Sequence, residues 1–213
     1  LHSLRRRQRQ MCIRDSLSDA LPTSHEIGVQ YGDVQPGDTI AIVGAGPIGM
    51  AALLTAQLYS PSQIIVADTD QNRLEMALEM GATDIVNSAT ENAIERILEL
   101  TGGRGVDCSI EAVGIPATWD VCQHVVKEGG NIANVGVHGQ SVDFALEKLW
   151  IKNLKITTGL VNANTTPMLL KTCCSGKLPL DKMITHHFKF NDLEHAYKAV
   201  SYTHLTLPTT ERV

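Results

Sequence analysis

A glycine-rich segment of this chain has the composition and spacing of a pyrophosphate-binding turn. It follows the pattern G-x-G-x-x-G and consists of Gly44, Ala45, Gly46, Pro47, Ile48 and Gly49. An apolar, β-branched run (39–43) precedes this glycine turn, and an apolar run with helical spacing (50–57) follows it. In such a unit the first glycine permits a tight turn, the second lets phosphates approach the backbone, and the third lets helix and strand pack closely. Because glycine turns are common, the motif needs a second signal.

That second signal is an acidic residue at the end of the next apolar run. Residues 64–68 predict a buried strand that ends in Asp68, about 20 residues after the glycine turn. A carboxylate in this place accepts hydrogen bonds from the adenosine ribose hydroxyls and repels a 2′-phosphate, so it favours NAD over NADP. A second interpretation is that Asp68 is a turn residue that caps the following helix.

The composition argues against several classes of protein. The 213 residues suit one or two domains, with a hydrophobic content of 43% and a net charge of -5. Without a basic surplus or an apolar run long enough to span a bilayer, we expect neither a nucleic-acid nor a membrane partner. The five cysteines contain no C-x-x-C pair, and their odd number and scatter fit reduced thiols in a cytoplasmic protein.

Both ends differ in character from the rest of the chain. Residues 1–16 are basic and aperiodic, and no apolar core follows their arginines, so they do not form a secretory signal. One interpretation is a disordered basic arm. However, residues 10–16 and 200–210 resemble translated sequencing-adapter sequence. We therefore expect residues 1–16 and 201–213 to be non-native tails around a fragment of a longer protein.

Between these tails, predicted strands alternate with predicted helices. The strands are expected at 39–43, 64–68, 84–86, 106–113, 131–137 and 154–158. The helices are expected at 50–57, 69–80, 91–100 and 117–126, with amphipathic helices at 166–175 and 192–200. This alternation requires a parallel sheet covered on both faces. We predict the α/β class and a doubly wound Rossmann sheet with strand order 3-2-1-4-5-6, which binds ligands at the carboxyl ends of its strands.

Glycines follow the fourth and the fifth predicted strand. The residues concerned are Val113 and Gly114 after one strand, and Val135, Gly136 and Val137 at the end of the other. Glycine suits close approach of a ligand to the backbone, so these segments are expected to face the adenine and nicotinamide halves of a dinucleotide. The alternative is that the glycines only turn the chain.

Several motifs together make the core resemble the zinc-dependent medium-chain alcohol dehydrogenases. The matching segments occur in the family's order and are 18–23, 34–39, 44–49, 102–107, 111–114 and 135–137. The resemblance implies an NAD-binding domain at 34–165, preceded at 17–33 by a linker helix with a remnant of the GroES-like catalytic lobe. It also implies that helices and a strand at 166–200 return to that lobe.

The same resemblance implies roles for three further residues. Asp19 matches the last zinc ligand, which is Cys or Asp in the family, and Thr23 matches a catalytic residue near the nicotinamide. A carboxylate oxygen is an acceptable zinc donor, although the spacing alone also fits a helix N-cap. Arg73 could pair with a 2′-phosphate. It matches a basic residue beside the ribose in NAD-using members, so NAD stays the expected coenzyme.

The function implied is hydride transfer between NAD and an alcohol, with an aldehyde or ketone as the other partner. Zn²⁺ would lower the pKa of the alcohol, although the catalytic zinc site is expected to be incomplete in this chain. A homodimer or homotetramer is expected for the full-length parent. Two alternatives remain: a zinc-free quinone-type reductase that uses NADPH, against which Asp19 and Asp68 argue, and a non-catalytic dinucleotide-binding module.

Overall fold

The computed structural model describes residues 16–183, 190–195 and 198. A helical region, α1 (16–30), comes first. It contains π-helical segments Ser16–Ala20 and Ser24–Gln30 on either side of the α-helical turn Leu21–Thr23. Six strands follow: β1 (Thr39–Val43), β2 (Gln63–Asp68), β3 (Asp84–Asn87), β4 (Val106–Glu111), β5 (Val126–Asn134) and β6 (Lys155–Thr158).

Helices connect these strands along the chain. They are α2 (Pro47–Ala56), α3 (Gln71–Glu79), α4 (Ala93–Leu100), α5 (Pro116–Val125) and the short α6 (Leu146–Leu149), with α7 (Thr166–Cys174) after β6. Single 3₁₀ turns at Gln57–Tyr59, Trp150–Lys152 and Leu180–Met183 complete the region. Helix α2 is apolar over its whole circumference and is buried from Gly49 to Ala56, which fixes its amino end against the sheet.

The six strands form one parallel sheet in the order β3-β2-β1-β4-β5-β6. The predicted class, topology and strand order are therefore confirmed. Val43 at the end of β1 pairs with Ala67 of β2 on one side and with Glu111 of β4 on the other. The strand order runs outwards from β1 in one direction to β3 and from β4 in the other direction to β6. The carboxyl ends of β1 and β4 therefore border a crevice, where sheets of this kind bind ligands.

Alternate residues of each strand point to opposite sides of the sheet, and helices pack against both faces. Ile40 and Ile42 of β1 belong to the cluster that packs against α1, α2 and α3. The intervening Ala41 belongs to a cluster with Ile97 of α4. Val43, on the same side as Ala41, packs with Trp119 of α5. Burial of each large side chain contributes roughly 1.5–3 kcal/mol, so both layers hold the strand ends in place.

The ends of two strands differ from the predicted ones by more than one residue. β5 begins at Val126 rather than at 131, because Val126 pairs with Val106 before the register shifts near the adjacent glycines. β4 ends at Glu111 rather than at 113, since the backbone N–H of Val113 donates to the Glu111 carboxylate and not to a neighbouring strand. The predicted fifth strand likewise stops short, at Asn134.

Contacts divide the chain into two units, Leu1–Met183 and Ile184–Val213. The whole sheet lies in the first unit. In the second, Phe190–Asp192 forms a 3₁₀ turn. Of the helix predicted at 192–200, residues 193–195 and 198 are helical, and 196, 197, 199 and 200 lie outside the described residues. No helix in the described part of the chain has the length and apolar character needed to cross a membrane.

Candidate dinucleotide-binding site

The glycine turn links β1 to α2, and each of its glycines has a distinct steric environment. Gly44 has φ +108°, in the left-handed region that favours glycine, and a Cβ there would overlap the side chain of Val113. A Cβ at Gly49 would overlap the carbonyl oxygen of Gly44, so α2 packs directly against the turn. Gly46, in contrast, has no atom within 4 Å of its Cβ position and faces open space.

The amino end of α2 opens at this free space. Gly46 is its N-cap and contributes no side-chain hydrogen bond, and Pro47 occupies the first turn. The first amide groups of a helix have no intrahelical acceptor and carry the positive end of the helix dipole. Helix α1 supports this end, because Ser24 Oγ donates to the carbonyl oxygen of Ile48 at 2.7 Å. The arrangement therefore offers room and N–H donors for a phosphate group.

Asp68 lies at the end of β2 directly beside the glycine turn. Its Oδ2 accepts from the backbone N–H of Ala45 at 2.6 Å, and its side chain is only 8% exposed. The cap of α3 is Asp70, whose Oδ1 accepts from the backbone N–H groups of Asn72 and Arg73. The interpretation of Asp68 as that helix cap is therefore wrong. Arg73 Nη1 lies 3.8 Å from Asp68 Oδ2, so the two side chains form an ion pair beside the glycine turn.

The segments after β4 and β5 meet to form one wall, which we call the crevice wall (113–114 and 135–137). Gly114 has φ +91°, and a Cβ there would overlap the carbonyl oxygen of Val137. A Cβ at Gly136 would overlap the backbone nitrogen of Gly114. Val137 itself is 86% exposed. Through the contact between Val113 and Gly44, this wall adjoins the glycine turn.

Glu111 is a residue of this site to which the sequence analysis gave no role. It is fully buried at the end of β4, and its Oε1 accepts from Val113 N–H, Gly114 N–H and Thr118 Oγ1 at 3.0, 2.8 and 2.6 Å. Its Oε2 lies 3.4 Å from His138 Nε2. An acidic residue in a predicted buried strand, immediately before a predicted crevice, is the signal that could have identified it.

Asp19 and Thr23 lie together on α1. Thr23 Oγ1 donates to Asp19 Oδ1 at 3.0 Å, and the Asp19 side chain is exposed. Asp19 lies inside the helical segment Ser16–Ala20 rather than ahead of it, which is not the position of an N-cap. Across the described ranges no group of three His, Cys, Asp or Glu could hold a metal ion. The described residues therefore do not form a zinc site by themselves.

Two neighbouring ionisable residues of α1 are buried. Burial lowers the pKa of His25, an effect that Glu26 partly offsets, and His25 Nε2 lies 3.5 Å from the Tyr59 hydroxyl. Burial raises the pKa of Glu26, but its hydrogen bonds lower it by more, so the net direction is downwards. These bonds come from the backbone N–H groups of Asn162, Ala163 and Thr165 and from Thr165 Oγ1. Glu26 thus fixes the segment that follows β6.

The fold and the crevice together define a domain of the Rossmann type. The family profile described as zinc-binding dehydrogenase matches residues 47–173, which is more than half of the chain. The chain therefore belongs to the zinc-binding dehydrogenase family.

Individual relatives agree with this assignment. An alcohol dehydrogenase of Cupriavidus necator is 34% identical over 174 residues, which are 80% of this chain and 48% of that protein. The solved apo form of a zinc dependent alcohol dehydrogenase 2 from Streptococcus pneumoniae is 56% identical with a TM-score of 0.83, covering 86% of this chain and 54% of that one. Other relatives are named sorbitol dehydrogenase and L-threonine 3-dehydrogenase.

Two of the related structures contain a nicotinamide cofactor. One, a dehydrogenase of Sinorhizobium meliloti 1021 bound to NADP, is 24% identical with a TM-score of 0.74 and covers 78% of this chain and 50% of that one, so it shows the fold alone. The other, a short chain alcohol dehydrogenase of Escherichia coli CFT073 complexed with NADH, is 26% identical with a TM-score of 0.77 and covers 84% of this chain and 53% of that one. This chain spans about half the length of the curated relatives it matches.

Proposed function

We propose that this chain is the coenzyme-binding part of an NAD-dependent, zinc-containing alcohol dehydrogenase. The observation that carries the proposal is the pairing of the open space at Gly46 with the Asp68 carboxylate, which is hydrogen-bonded to the glycine turn at Ala45. The first suits a pyrophosphate and the second suits ribose hydroxyls. The NADH complex of a relative supports the same ligand class.

Each candidate residue then has a role toward the dinucleotide. The glycine turn, with Ala45, Pro47 and Ile48 between its glycines, would bind the pyrophosphate. Asp68 would accept from the ribose while Arg73 holds that carboxylate in place. Residues 113–114 and 135–137 would contact the adenine and nicotinamide halves, and Thr23 would lie near the nicotinamide. A bound nicotinamide supplies the hydride chemistry, and these residues supply orientation and electrostatics.

Zinc enters the proposal through one residue of this chain. Asp19 is proposed as one ligand of a catalytic zinc ion whose other ligands the longer protein supplies. Its carboxylate is exposed, and it does not occupy the N-cap position of a helix. The names of the relatives support a zinc-type enzyme. The remaining donors would come from outside the described residues.

The proposal extends to substrate, assembly and location. The substrates would be small alcohols and the corresponding aldehydes or ketones, as the names of the relatives suggest. The full-length parent would be a homodimer or homotetramer, without nucleic-acid or membrane partners. We place it in the cytoplasm, in keeping with the free thiols of Cys108, Cys122, Cys173 and Cys174.

The coenzyme preference gives the direct test. NADH and NADPH are titrated into the unmodified chain, Asp68→Ser and the control Asp70→Ser, with coenzyme fluorescence as the signal. The control also removes an acid close to Arg73, but serine keeps the cap of α3. We expect the unmodified chain and the control to prefer NADH by about tenfold, and Asp68→Ser to lose most of that preference. Equal or tighter binding of NADPH by the unmodified chain would contradict the proposal.

A further inference from the structure

Glu111 is a buried carboxylate that the proposed hydride transfer does not use. Its side chain is 0% exposed, and an ion in such a place is costly unless hydrogen bonds compensate. Three donors converge on Oε1 alone: the backbone N–H groups of Val113 and Gly114, and the hydroxyl of Thr118. Thr118 lies in the first turn of α5, where the helix dipole also favours an anion. The carboxylate is therefore held in one orientation.

The donors on Oε1 determine where the backbone goes after β4. Because the Val113 and Gly114 amides turn back to the strand end, the chain leaves the sheet at Glu111 and crosses towards the glycine turn. The Val113 side chain packs against Gly44, so closely that a Cβ at Gly44 would overlap it. The position of the carboxylate thus sets the contact between the glycine turn and the turn at 113–114, two segments proposed to bind different parts of the dinucleotide.

The second oxygen of Glu111 contacts the other half of the crevice wall. A Cβ at Gly136 would overlap Oε2, and the Glu111 carbonyl oxygen accepts from the Val135 and Gly136 backbone N–H groups. Among the described residues Oε2 has no hydrogen-bond partner, and it lies 3.4 Å from His138 Nε2. That nitrogen lies 2.8 Å from Asn134 Oδ1. One side chain therefore contacts both segments of the wall.

We propose that Glu111 is a positioning residue for dinucleotide binding, which holds the turn at 113–114 and the segment at 135–137 in register with the glycine turn. This inference rests on the proposed function. It predicts that side-chain length and acceptor geometry at position 111 control affinity for the coenzyme. Glutamine keeps both length and an acceptor oxygen, whereas aspartate keeps the charge but cannot reach the same donors.

The experiment measures NADH dissociation constants and the amide exchange rates of Val113 and Gly114 in the same variants. Glu111→Asp is expected to weaken NADH binding about tenfold and to speed exchange at both amides, because buried donors lose their acceptor. Glu111→Gln is expected to weaken binding only about threefold. Thr118→Val, which removes one donor and leaves the carboxylate, is expected to give a similar small loss and covers the case in which Glu111→Asp does not fold.

Ser109→Ala is the matched control. Ser109 is also fully buried, lies two residues earlier on the same strand and face, and binds the same helix through the Cys122 carbonyl oxygen at 3.1 Å. It should lose stability with unchanged NADH affinity and unchanged exchange at Val113 and Gly114. If the Glu111 and Thr118 variants bind NADH as tightly as this control, the inference is overturned while the proposed function stands. If the unmodified chain binds no NADH, the proposed function fails and this inference falls with it.

Discussion

At the scale of single residues, substitution of two glycines of one turn by alanine is expected to affect different properties: stability for Gly49 and coenzyme affinity for Gly46. Gly49→Ala would place a methyl group against the Gly44 carbonyl oxygen, so it should cost roughly 1–3 kcal/mol or more of unfolding free energy. Gly46→Ala meets open space at an ordinary φ of -72°, so its cost should stay near that of an N-cap alanine, about 1 kcal/mol. Its methyl group would instead occupy the space proposed for phosphate, and NADH affinity should fall about tenfold.

Urea unfolding and NADH titration of both variants separate these effects. A Gly46→Ala protein that unfolds like the unmodified chain and binds NADH equally well would remove Gly46 from the proposed site. A Gly49→Ala protein of unchanged stability would show that α2 does not need its close contact with the turn.

The placement of the candidate site residues was predictable from sequence where these residues are close in the chain. The glycine spacing and the acid after β2 lie in one strand–turn–helix–strand unit, and the structure places Asp68 beside Ala45. That Asp70 rather than Asp68 caps α3 was not predicted, because acids two residues apart in one turn can both cap a helix. The role of Glu111 was not predicted for a different reason. Its partners include the segment after β5, which is brought to Glu111 only by the packing of two strands.

At the scale of elements, Glu26 of α1 should make stability depend on pH. Its carboxylate accepts four hydrogen bonds from the segment after β6, and its pKa is lowered below the ordinary 4.5 despite burial. A carboxyl group with a lowered folded-state pKa contributes stability that is fully present above its unfolded pKa. That contribution is lost as the pH falls through the folded-state pKa.

The measurement is urea unfolding of the unmodified chain and Glu26→Gln from pH 7 down to pH 3. At pH 7 the variant should be less stable by roughly 1–3 kcal/mol, and the difference should shrink as the pH falls below about 4.5. Glu79→Gln, at an exposed position of α3, is the control and should follow the unmodified chain. A stability difference between Glu26→Gln and the unmodified chain that stays constant over this range would argue against a charged role for Glu26.

Element types were more predictable than element ends. Apolar runs between glycine turns identified all six strands, and their alternation with helices led to the confirmed strand order. The ends of β4 and β5 were misplaced for two reasons. β4 stops early because the Val113 backbone N–H donates to the nearby Glu111 side chain, which an apolar pattern does not reveal. β5 begins early because Val126 pairs with Val106, a partner that is distant in sequence. The π-helical geometry of α1 likewise has no signature in apolar periodicity.

At the scale of the whole molecule, coenzyme binding and metal catalysis are expected to separate. The glycine turn, Asp68 and the crevice wall, which are proposed to bind a dinucleotide, lie at the carboxyl ends of the strands of one sheet, in the first unit of the chain. A catalytic zinc site needs three protein donors and an open position. The portion of the chain described by the structure brings no such group together, and Asp19 is the one ligand proposed from it.

We therefore expect the chain as it stands to bind NADH and to show no zinc-dependent turnover. The purified chain is assayed with zinc, NAD and a panel of primary, secondary and polyol alcohols, and NADH binding in the same preparation shows that it is folded. A longer protein that carries this segment serves as the positive control. In that protein Asp19→Asn should reduce zinc content and turnover. Asp19→Cys should retain both, because thiolate is a good zinc donor. Zinc-dependent turnover by the unmodified chain would mean that its own residues complete a metal site, and full zinc content in the Asn variant would remove Asp19 from that site.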